Sequence, residues 1–257
     1  MSNRSNVALL YDGSFDGLLS AVFAAYERRI SPSDLLPDTA VQQTLNTTYL
    51  YIPTEEEKAF RVAEGVKKRM GTLACEKIFT AYLSDQPHAG KQIFSYVQLG
   101  MKEGLRVHRM LTDDRVIALN KTAALVTREA HMLTQFARFS AMENGIYYAV
   151  ISPTHRVLPL IIPHFFDRFR DQPFLIHDTV HGEVGISRCS EWLITSDEGL
   201  APPDYAAEEE AYRAMWKTFY RTVSIRERYN PALQRQMMPK KYWKHIVEMQ
   251  DFVVRKH

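Results

Sequence analysis

The chain has 257 residues, 46% of them hydrophobic and 24% charged. That composition excludes disorder, collagen and coiled coil, and it suits one large folded domain or two small ones. Lys plus Arg number 32 against 30 Asp plus Glu, so a net charge of +2 singles out no partner and the distribution of charge matters more than its sum. Cys75 and Cys189 are the only cysteines, which leaves neither a disulfide framework nor a cysteine metal cluster and fits a reducing cytoplasm. The opening MSNRSNVALLYDGSFDG lacks the apolar core of a signal peptide, and no apolar run approaches the roughly 18 residues of a bilayer span. A cytoplasmic location with no membrane partner is expected.

Asn6 to Tyr11 predicts a short buried strand, and DGSFDG a turn into a helix whose apolar residues Phe15, Leu18, Leu19, Val22, Phe23 and Tyr26 recur at three and four. Ser14 or Asp16 is placed to cap that helix. SPSDLLP breaks it, a second strand spans Thr48 to Ile52, and Thr54 with Glu57 has the spacing of a capping box. From Leu73 to about Phe136 the pattern is helical, interrupted at Ser84 to His88 and at GLRVHRMLTDD. Phe136 to Met142, the turn Glu143-Asn144-Gly145 and Ile146 to Ile151 predict a hairpin. Leu158 to Phe169 predicts one amphipathic helix with Pro159 in its first turn and a distortion at Pro163. PFLIHDT and GEVGISR flank a turn at His181-Gly182, and SEWLITS is a candidate fifth strand. DEGLAPPD, with its prolines, glycine and acids, is the clearest linker.

The expected architecture is therefore α+β. A strand-loop-helix and helical region fills 1–130, an antiparallel sheet of the order strand, strand, helix, strand, strand with its helices fills 131–200, and a basic helical region fills 201–257, an arrangement that one compact domain could also hold.

Residues 212–257 hold eleven Lys or Arg and three acids, a net charge of +8 that leaves the remainder at −6. Trp216, Phe219, Tyr220, Tyr229, Tyr242 and Trp243 are interleaved with those cations. Phosphates recruit Lys and Arg, and unstacked bases recruit flat rings, so this is the pattern of a nucleic-acid surface. The expected nucleic-acid-binding residues are Arg226, Arg228, Lys240, Lys241, Tyr242, Trp243 and Lys244, with Tyr242 or Trp243 stacked on a base. The bland alternative is that the rings are the buried stripe of helices whose outer faces Lys and Arg solvate.

The segment SIRERYNPALQRQMMPKKYWKHIVEM, with Arg228, Asn230, Pro231, Met238, Pro239, Tyr242 and Trp243, resembles the carboxyl-terminal signature of a bacterial family known as "probable DNA metabolism proteins". YDGSFDGLLSAVFAAYE, REAHMLTQFARF and VLPLIIPHFFDRF resemble further segments of that family in the same order, so the likeness spans nearly the whole chain. The resemblance implies a DNA repair or modification role beside a radical SAM protein, and some relatives are fused to a uracil-DNA glycosylase-like domain. The chain lacks the three close cysteines of a radical SAM cluster and is not itself that enzyme.

Other residues offer chemistry. The YDGSFDG turn could present amides to a phosphate, but Asp12 and Asp16 would repel an anion unless a hard cation lay between, and the turn is neither a Walker loop nor a dinucleotide fingerprint. His131 and Arg138 share a helix face, and with His164 and Arg168 they could form an acid–base or phosphate site. Asp12, Asp16, His131 and His164 are thus the catalytic candidates, and Arg138 and Arg168 the phosphate-binding ones. His177, Asp178, His181 and Glu183 bracket a turn that needs no metal to explain them. No cofactor or metal is expected. The leading expectation is a DNA-binding accessory protein; a nuclease or glycosylase-like hydrolase and a protein–protein adaptor are the alternatives.

Overall fold

A computed structural model describes residues 6–40, 46–188, 190–201 and 204–250, with the backbone alone at Asn6, Ala40 and Arg226. Cys189, the two prolines of the expected linker, Arg255 and Lys256 lie outside the described residues. The fold is mixed α+β, and the chain divides into two compact units between Val126 and Thr127. The sheet region and the basic region, expected as separate stretches, belong to the same unit.

In the first unit β1 (Asn6–Tyr11) leads through the DGSFDG turn into α1 (Phe15–Glu27), which Ser14 caps by accepting the Gly17 amide at 2.9 Å. β2 (Asp34–Pro37) and β3 (Thr47–Tyr51) pair in parallel with β1 on either side, giving the order β2-β1-β3. β2 falls in the segment read as a helix break. α2 (Glu56–Met70), α3 (Thr72–Tyr82) and α4 (Ala89–Glu103) follow. α5 (Asp114–Phe136) carries the division between units. Leu9, Leu18, Leu35, Met70, Ile93 and Tyr96 are core residues of this unit. The expected capping box is a correction: the cap of α2 is Glu55 without a side-chain bond, because the Thr54 hydroxyl is donated to Asp12 Oδ2 at 2.7 Å instead.

The second unit is built on a five-stranded sheet in the order β4-β5-β6-β7-β8, namely Phe139–Ala141, Tyr147–Ile151, Phe174–Asp178, Glu183–Arg188 and Glu191–Ser196. α6 (Leu158–Phe169) connects β5 to β6 and runs unbroken through Pro163. The sheet is not purely antiparallel. β5 and β6 pair in parallel, since a helix-containing crossover brings the chain back in its original direction. Leu158, Ile161, Ile162 and Phe165 of α6 are buried, and a side chain at Gly185 of β7 would meet Ile162 Cδ1 at 2.3 Å, so glycine admits the helix to the sheet. Phe139, Phe165, Phe169 and Phe174 form an aromatic cluster with centroids 4.7 to 5.8 Å apart. α7 (Glu209–Val223), α8 (Pro231–Met237) and 3-10 turns at Lys240–His245 and Val247–Met249 complete the unit. Among the described residues no helix is long and apolar enough to cross a membrane.

Candidate functional site

In the first unit, Asp12 stands at the carboxyl end of β1. It accepts Ser14 N at 2.9 Å, Ser14 Oγ at 2.6 Å and Thr54 Oγ1 at 2.7 Å. Burial works to raise its pKa, but these donors outweigh it and hold the carboxyl below its ordinary range. A side chain at Gly17 would strike Asp12 Oδ1 at 2.1 Å, so glycine opens the space this carboxylate fills. Asp16 is exposed in the first turn of α1. Asp12 is thus spent on closing the turn and linking it to the segment after β3.

In the second unit a different carboxylate dominates. Glu129 on α5 is buried, and its oxygens accept Thr154 N at 2.9 Å, His155 N at 2.8 Å and the Tyr242 hydroxyl at 2.6 Å, with the Lys241 ammonium as ion-pair partner. Lys241 also donates to Thr154 Oγ1 at 2.6 Å. Burial alone would raise the Glu129 pKa, yet Lys241, Tyr242 and the Thr154 amide bring it below the ordinary range, and burial against Glu129 drives the Tyr242 phenol up. Glu248 repeats the device. Buried itself, it takes Arg138 Nη2 at 2.7 Å and Trp216 Nε1 at 2.9 Å, and these partners carry its pKa down against desolvation.

These contacts correct part of the expected nucleic-acid surface. Tyr242 is 2% exposed and Trp243 8%, so neither ring can stack on a base as the structure stands. Lys241 is paired with Glu129, and Arg138, expected to bind phosphate, is neutralised by Glu248. Arg228, Arg235, Lys240 and Lys244 remain exposed, and none of them has a carboxylate partner among the described residues. Lys240 lies 5.6 Å from the Trp243 ring centroid. Tyr212, Trp216, Phe219 and Tyr229 are exposed rings. Arg168 is exposed; His131 bonds Gln135 one turn along its own helix, and His164 packs edge-on against Phe165. No hydrogen bond joins these two histidines to each other or to Arg138, so the convergence expected of them is not observed among the described residues.

A polar cluster that sequence reasoning missed lies at the carboxyl ends of the parallel pair β5 and β6, where open α/β sheets place their ligands. Ser152 Oγ lies 2.8 Å from His245 Nε2 and 2.8 Å from Thr179 Oγ1. Tyr148 OH lies 2.7 Å from His177 Nδ1, whose Nε2 is 3.0 Å from Asp197 Oδ2. Burial, Lys244 and His177 lower the His245 pKa to about 4, so its imidazole is neutral at pH 7 and a weaker base than an ordinary histidine. Asp178, fully buried, is used up by His181 Nδ1 at 2.6 Å and the amides of Val180 and His181, a turn-closing role. Among the described residues no group of three or more His, Cys, Asp or Glu is placed to hold a metal ion. Ser152 and His245 are 93 positions apart, which no local motif could reveal.

An α+β unit with a basic, partly outward-facing carboxyl-terminal segment and a hydroxyl–imidazole cluster at its sheet edge is the class these features define. Residues 87–248 match the DUF4130 model, a domain of unknown function, and the chain belongs to that family. No curated protein matches the chain.

Proposed function

We propose that the protein is a nucleic-acid-binding accessory in cytoplasmic DNA repair or modification, acting with a radical SAM partner. The partner and the pathway rest on the family resemblance; the binding rests on charge. One observation carries it: Arg228, Arg235, Lys240 and Lys244 are exposed, without carboxylate partners among the described residues, in a segment of strong positive excess. Four such cations suit a phosphate backbone, while Tyr229, exposed beside Arg228, takes over the stacking role that the buried Tyr242 and Trp243 cannot fill. Affinity for single- and double-stranded DNA measured against salt tests the reading. Four neutralised phosphates give a log–log slope of roughly −3 to −4, and Lys240→Glu with Lys244→Glu reduces it by roughly 2. A flat plot removes the proposal.

A second reading, a hydrolase acting on nucleic acid, is favoured by the 2.8 Å approach of Ser152 Oγ to His245 Nε2, a hydroxyl within proton-transfer reach of a neutral base. Its sign is turnover of a labelled oligonucleotide that Ser152→Ala and His245→Gln each abolish. Absence of turnover by the unaltered protein ends it.

A further inference from the structure

The two edges of the five-stranded sheet are treated differently. At β4 the chain beyond the sheet covers the edge: Ala206 N donates to Ala141 O at 3.0 Å, Glu143 N donates to Asp204 O at 3.1 Å, Met142 bridges Tyr205, and the buried Glu209 carboxylate accepts Ala141 N at 2.9 Å. β8 has no such cover among the described residues. It pairs with β7 alone, and five of its six residues are exposed. The next residue, Asp197, donates its amide inward to Gly182 O at 2.9 Å. An antiparallel ladder alternates, so Trp192, Ile194 and Ser196 turn their N–H and C=O groups away from β7. Open edges template a further strand and are normally blunted by lysine, proline, a bulge or a cover. Glu191 to Ser196 contains neither lysine nor proline, and its register with β7 is unbroken.

The side chains select the strand that fits. Gly185 abuts Ile162 of α6 and pairs with Ile194, so Trp192 and Ile194 share the α6 face while Leu193 stands on the opposite one. There Tyr148, Leu175, Ile186 and Leu193 form one row across four strands, buried at Tyr148 and bare at Leu193, which is 51% exposed. We propose that β8 pairs antiparallel with β8 of a second copy about a two-fold axis, with Leu193 opposite itself, Trp192 opposite Ile194 and Glu191 opposite Thr195. In this register no charge meets its like. The Leu193 row continues into its own image, and Trp192, 39% exposed, packs on a branched side chain, a favourable cross-strand pair. A slip of one residue would join opposite faces; a slip of two would set Glu191 against Asp197 of the second copy or against its Leu193. Because the β4 edge is covered, the pairing closes as a dimer instead of running on as a filament. The proposal does not depend on the DNA-binding or hydrolase readings, which use Lys240, Lys244, Ser152 and His245.

Size-exclusion chromatography with light scattering on a dilution series of the purified full chain tests it, and twice the chain mass is expected at the concentrated end. Leu193→Lys sets like charges directly opposite each other and should raise the dissociation constant at least roughly tenfold. That side chain is exposed, so the circular dichroism spectrum of the variant should match that of the unaltered protein. The register is read separately, in chains carrying Cys75→Ser and Cys189→Ser. There Leu193→Cys should link two copies by a disulfide under mild oxidation, because a non-hydrogen-bonded antiparallel pair holds its Cα atoms about 4.5 Å apart. Glu191→Cys, four residues from its own image and so about 14 Å away, should not. A single-chain mass at every concentration, which would leave the edge to a strand of another protein, overturns the proposal. So does a dimer that Leu193→Lys leaves intact, or cross-linking as efficient at 191 as at 193.

Discussion

Two stretches of one basic region, alike in their mixture of cations and rings, meet opposite fates. From Lys240 to Met249 the rings and apolar side chains turn inward: Tyr242, Trp243, Ile246, Val247 and Met249 are buried. From Tyr212 to Met237 they turn outward, with Tyr212, Met215, Phe219, Val223, Tyr229, Leu233 and Met237 exposed. Composition does not separate the two; buried carboxylates do. Glu129 draws in Lys241 and Tyr242, and Glu248, itself in the inward stretch, takes Arg138 from the body of the unit. From the outward stretch Glu248 takes only the Trp216 indole N–H, and that ring stays 41% exposed.

The sharpest way to break this contrast is Glu129→Ala, which strips four donors of their acceptor at once. Breaking a buried, hydrogen-bonded pair costs about 3 to 5 kcal/mol; the partly exposed Lys241 places the expected loss near the lower end, read as a fall in the urea midpoint. The next largest effect is pH dependence. His245, with its pKa held near 4 in the fold and an ordinary value of 6.5 when unfolded, binds fewer protons folded than unfolded between those values. Its contribution is complete above pH 6.5 and is lost as pH falls towards 4, about 1 to 2 kcal/mol after allowance for its partial exposure. Denaturation curves at several pH values should show a shallower decline over that window for His245→Gln. Glu129 and Glu248, whose pKa values are lowered, add a loss at still lower pH that Arg138→Met should reduce.

These carboxylates show where sequence reasoning stops. The span of α6, the hairpin between β4 and β5, the turn at His181-Gly182 and the Ser14 cap were legible, because periodicity and turn chemistry are local. Parallel pairing of β5 with β6 was implicit in the strand-helix-strand order, but the hairpins on either side masked it. Thr54 looked like a helix cap because its competing partner, Asp12, lies 42 positions away. Glu129 sits in a helical stretch where nothing near it indicates a tyrosine and a lysine more than a hundred residues later. That Trp216 and Phe219 are rings on a helix stripe could be read, but not that they face outward.

Smaller tests sharpen the contrast. Tyr242→Phe removes one hydroxyl from a buried acceptor and should cost about 1 to 2 kcal/mol in chemical denaturation. Phe219→Ser on the outward stretch should change stability by no more than about 0.5 kcal/mol. If the second change proved as costly as the first, α7 would be packed against something and the division between the two stretches would fail.

The separation of 112 positions between Glu129 and Lys241 also governs timing. A ribosome delivers the acid long before its ammonium and phenol partners, so α5 and the sheet emerge with an acceptor that only the Thr154 and His155 amides can yet satisfy. Contacts this distant along the chain are slow to close and cannot nucleate early. The second unit would therefore mature in one late step, when the Lys240–His245 turn swings in and locks. A polypeptide interrupted before that turn would carry a sheet with its keystone missing, a ready target for proteolysis.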